Sequence, residues 1–97
     1  MKQIECIISG RVQLVMFRDF TKRCAQKMGL RGTVQNRADG TVAVLAQGEE
    51  NTLRSFTERL QKGSILARVK SVEVRWSDPT EIYNDFTIVY SSFLDRI

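Results

Sequence analysis

Histidine is absent from all 97 residues. That removes imidazole as a general base, as the partner of a nucleophilic Ser or Cys, and as the commonest zinc ligand. Cysteine is nearly absent: Cys6 and Cys24 are the two. Cys6 alternates with Ile4 and Ile8 in a strand pattern, and Cys24 falls on an apolar helical stripe. Both read as reduced, buried, small hydrophobes. A thiol-phosphatase reading of Cys6 fails, because Cys6 and Arg11 stand one residue too close together and the thiol lies inside the strand. No apolar stretch approaches the ~20 residues of a membrane span. The start, MKQIECIISGR, is too polar for a signal peptide, so a cytoplasmic address is expected. With one proline, no low-complexity run and no linker, the chain reads as a single domain over 1–97, its core at about 3–90 and a short tail at 91–97.

Positive charge and clear periodicity are what remain. A formal charge of +4 favours anionic partners. Ile4 to Ile8 predicts a first strand. Phe17, Phe20, Cys24 and Met28 recur at helical steps and end at Gly29. Arg31 to Asn36 and Thr41 to Ala46 predict strands joined through Ala38-Asp39-Gly40, a tight turn in which Gly40 is free to take positive φ. Leu53, Phe56 and Leu60 mark a second helix that opens on Glu49 and Glu50, where the dipole favours acids, and stops at Gly63. Arg68 to Trp76 predicts a fourth strand. A polar segment over Ser77 to Asp85 crosses to a last one, Phe86 to Tyr90. The fold class is therefore α+β: a ferredoxin-like βαββαβ sandwich with two helices on one face of an antiparallel four- to five-stranded sheet. Such a fold hosts many functions and decides none.

Chemistry concentrates in Gly10-Arg11-Val12-Gln13-Leu14-Val15-Met16-Phe17-Arg18. A loop between a strand and a helix N-terminus aims backbone N–H groups and the positive end of the dipole at one spot. An arginine in the helix's first turn can add a bidentate clamp, which suits phosphate. Asn36 stands where the second strand ends, and its amide offers a donor and an acceptor together. It reads equally well as a turn former. Trp76, Tyr83 and Tyr90 read as packing residues. RNA-recognition modules share the fold and a basic surface, but they stack bases on strand aromatics, and the central strands here have none.

Four segments, GRVQLVMFR at 10–18, GTVQNRADGTVAV at 32–44, QGEE at 47–50 and ARVKSVEVRW at 67–76, fall in one order and spacing. Together they resemble the acylphosphatase family, small βαββαβ enzymes that hydrolyse carboxyl-phosphate mixed anhydrides. The resemblance implies a metal-independent hydrolase of acyl phosphates that needs no cofactor. It implies Arg18 and Asn36 as the catalytic pair, Arg18 holding the phosphate and Asn36 the attacking water. The loop Arg11, Val12, Gln13, Leu14 and Val15 would bind phosphate through its N–H groups. Implied partners are a small-molecule acyl phosphate and inorganic phosphate or similar anions, with no specific nucleic acid, no membrane and a monomeric state. Leu14 stands where the family loop carries glycine, and Thr33 where an aromatic is common. A leucine held at positive φ would be strained by ~1–2 kcal/mol. A weak or inactive anion-binding module of the same fold is the alternative, ahead of an RNA-binding domain.

Overall fold

The computed structural model describes residues 1–13 and 15–90. The elements run β1 (Lys2–Arg11), α1 (Phe17–Lys27), β2 (Arg31–Asn36), β3 (Val42–Gly48), α2 (Glu50–Lys62), β4 (Arg68–Ser77) and β5 (Phe86–Val89). They form a five-stranded sheet in the order β4-β1-β3-β2-β5, with both helices against one face. Period-two alternation sends Ile4, Cys6 and Ile8 of β1, Val34 of β2, and Val42, Val44 and Ala46 of β3 to the helix side. There they meet Phe17, Cys24 and Ala25 of α1 and Leu53, Phe56 and Leu60 of α2. The ring of Phe56 meets Phe86 edge-on, at 6.2 Å between centroids and 71° between planes, which ties α2 to the far strand.

Three strand pairings are antiparallel, as expected, but β5 pairs in parallel with β2, so the sheet is mixed. The path of the chain explains the difference. β4 finishes at the end of the sheet where Gln3 pairs with Ser77. β2 starts at that same end, Arg31 lying opposite Gln47. A chain that passes along this end and turns into the sheet beyond β2 must run in the direction of β2. Gln47, buried in β3, fastens the crossing segment: its Nε2 donates to Glu81 O at 2.6 Å, and its Oε1 accepts from Tyr83 N at 3.1 Å. The same Nε2 donates to Gln3 Oε1 at 2.9 Å.

The opposite end of the sheet carries the strand-to-helix loop and the β2–β3 hairpin. β1 and β4 shift register between Ser9 and Gly10, after which Gly10 lies opposite Val69 and Arg11 opposite Arg68. Gly10 has φ +121°, and a Cβ there would run into the Arg68 carbonyl oxygen. This bulge carries β1 to Arg11, one residue further than the loop reading allows, and sets where the loop begins.

Candidate active site

The loop starts at Val12, whose side chain is buried in the core. Arg11 is therefore the last residue of β1, exposed and opposite Arg68, rather than a member of the loop. Gln13 and Val15 are half-buried, Val15 packing against the core. Leu14 lies outside the described residues, as does the tail over 91–97. Met16, the residue before α1, takes φ 60° and ψ 23°, the one non-glycine at positive φ among the described residues. Its carbonyl accepts from Phe20 N at 3.0 Å, but no side chain caps the helix start. The first N–H groups of α1 point out of its N-terminal end, where the loop arrives.

Arg18 occupies the second position of α1, half-buried, with its Cζ 5.2 Å from the centre of the Tyr90 ring. Stacking on an aromatic face restricts the plane of a guanidinium. Asn36 closes β2 opposite Val42 and is only 9% exposed. Its parity with Val34 puts it on the helix-covered face of the sheet, so its amide stays on the side from which α1 and the loop approach.

The hairpin beyond Asn36 is rigidly built. Arg37 N donates to Thr41 O at 2.8 Å and Gly40 N to Arg37 O at 3.2 Å. The Asp39 carboxylate accepts from Thr41 Oγ1 at 2.6 Å and from Thr41 N at 3.0 Å. Those two bonds, the hydroxyl's above all, hold its carboxyl below the usual range. Thr41 is committed to the turn. Gln13 then joins hairpin to loop: its Nε2 donates to Arg37 O at 2.8 Å and to Thr41 O at 2.9 Å.

The loop, the start of α1 and the end of β2 thus meet at one end of the sheet. The family model for acylphosphatase matches residues 4–88. The chain belongs to the acylphosphatase family. An acylphosphatase of Bacillus subtilis is 45% identical over 91 residues, covering 94% of this chain and 100% of that one. One from Thermotoga maritima is 44% identical over 90 residues, covering 93% and 99%. The crystal structure of acylphosphatase from Bacillus subtilis superposes with a TM-score of 0.90 at 44% identity, covering 93% of this chain and all of that one. Agreement over nearly the whole length makes this chain a hydrolase of the acylphosphatase type.

Tyr90 and the side chain of Gln13 escaped the sequence reading. Tyr90 follows the last strand with no motif around it, and its relation to Arg18 arises only when β5 joins the edge. Gln13 was legible as a loop residue but not as a donor to a hairpin 24 and 28 residues away. Among the described residues no cluster of three or more His, Cys, Asp or Glu is placed to hold a metal ion, and no helix is long and apolar enough to cross a membrane. Cys6 is fully buried in β1, and burial pushes its thiol up to about 12, far from the thiolate a nucleophile requires.

Proposed function

We propose that the chain hydrolyses acyl phosphates to a carboxylate and phosphate by direct attack of water on phosphorus. The phosphoryl oxygens sit on the N–H groups of the loop and of the first turn of α1, clamped by the Arg18 guanidinium. The Asn36 carboxamide orients the water in line with the scissile bond. The water oxygen bonds to phosphorus as the P–O bond to the acyl group breaks. The carboxylate leaves with the bonding electrons, and the water's proton passes to a phosphoryl oxygen or to solvent. A carboxylate is a good leaving group, so no general acid is required. Positioning and charge stabilisation carry the rate.

The observation that supports this reading is the clasp of Gln13 on the hairpin, whose bond to Arg37 O ties the loop to the residue after Asn36. Phosphate monoesters, whose alkoxide leaving groups are poor, should turn over negligibly at the same site. Acetyl phosphate and a simple alkyl phosphate assayed side by side test this. Release of phosphate from the first alone supports direct attack on a mixed anhydride, whereas comparable rates on both would refute it.

A further inference from the structure

Gln13 belongs to the loop by position, yet its side chain faces away from that role. Both hydrogens of its Nε2 are committed to the hairpin, one to Arg37 O at 2.8 Å and one to Thr41 O at 2.9 Å. These are the two carbonyls that frame the turn. Each already accepts a bond within it, Arg37 O from Gly40 N and Thr41 O from Arg37 N. The hairpin therefore holds its own shape, and the amide adds a link between two elements rather than a brace inside one. Arg37 directly follows Asn36, so the link ends one residue from the amide assigned to the water. Its other end is the backbone assigned to the phosphate.

We infer that the Gln13 side chain is a positioning residue that sets the distance between bound phosphate and the water held by Asn36. This rests on the acylphosphatase reading of the site. It predicts that loss of the clasp separates two properties. Phosphate binding is assigned to the loop N–H groups and Arg18, whereas the Gln13 Nε2 bonds run to the hairpin carbonyls, so phosphate binding survives. The chemical step depends on phosphate and water standing in line, and a shift of about 1 Å can reduce it by up to ~100-fold. Glutamine suits the task because one terminal nitrogen supplies two donors. Methionine is similar in length and supplies none. A glutamate carboxylate would set negative charge against both carbonyls, but its protonated form recovers one donor.

The test uses wild type, Gln13→Met and Gln13→Glu with acetyl phosphate as substrate and inorganic phosphate as competitive inhibitor, all below the melting temperature of each. The Gln13→Met variant should lose about tenfold to a hundredfold in kcat, while the inhibition constant for phosphate moves less than about threefold. For Gln13→Glu, activity relative to wild type should climb as pH falls from about 7 to about 5 and the carboxyl takes up its proton. The same ratio for Gln13→Met should stay flat. A kcat unchanged in Gln13→Met, phosphate inhibition lost in proportion to kcat, or matching pH ratios in the two variants would each overturn the inference. These outcomes are distinct from failure of the underlying reading, which appears as a wild-type rate no faster than the uncatalysed one.

Discussion

At the scale of single residues, Cys6 shows how burial decides chemistry. Its thiol is raised from 9.0 to about 12 by desolvation. A raised pKa means that the stability is fully present below 9.0 and is lost as pH climbs towards 12, because the unfolded chain ionises first. About 1 kcal/mol should be gone by pH ~10. Denaturant melts of wild type and Cys6→Val at pH ~8 and ~10 isolate this contribution, since the other alkaline groups are common to both. A wild type that loses no more stability than the variant would contradict it. Met16 makes the complementary point for the backbone. Its left-handed φ of 60° would be relieved by glycine, so Met16→Gly should stabilise by ~1 kcal/mol in a thermal melt. Leucine at position 14 would be strained only if held at positive φ, and that position lies outside the described residues.

Arg18 and Asn36 stand out as candidates in the sequence because each marks a recognisable unit, a strand-loop-helix start and a strand before a turn. Their neighbours were not. The Tyr90 ring under Arg18 and the Gln13 amide on the hairpin are tertiary contacts, and a lone tyrosine or glutamine carries no periodicity to announce one.

Among the elements, the boundaries read from the sequence shift by small amounts with physical causes. The strand pattern takes in Thr41, but its hydroxyl and amide are tied to Asp39, so β3 begins at Val42. It then continues to Gly48 because Lys2 pairs there. The parallel β5 was illegible because strand direction depends on where the crossing segment travels, and Gln47 sets that path through side-chain bonds. Gln47→Leu should therefore destabilise the protein by about 1–3 kcal/mol, stranding Glu81 O and Tyr83 N. Hydrogen exchange should quicken first in β5 and the crossing segment; uniform quickening across all five strands would argue against this role. Gly10→Ala acts at the other end. The added Cβ would meet the Arg68 carbonyl and displace β4 from β1 just before the loop proposed to hold phosphate. Activity should fall more steeply than melting temperature.

Over the whole molecule, the two ends of the sheet divide the labour. One end is sealed by Gln3, Gln47 and the crossing segment, and the other holds a loop, a helix start and a hairpin joined through Gln13. Helices on one face complete the core. The most direct test is hydrolysis of acetyl phosphate with EDTA present, by wild type, Arg18→Ala and Asn36→Ala. Wild-type turnover should stay intact with EDTA present. Losses of about 100-fold or more are expected in each variant, with phosphate inhibition weakened by Arg18→Ala far more than by Asn36→Ala. A folded wild type no faster than the uncatalysed reaction, or variants that retain full activity, would contradict it.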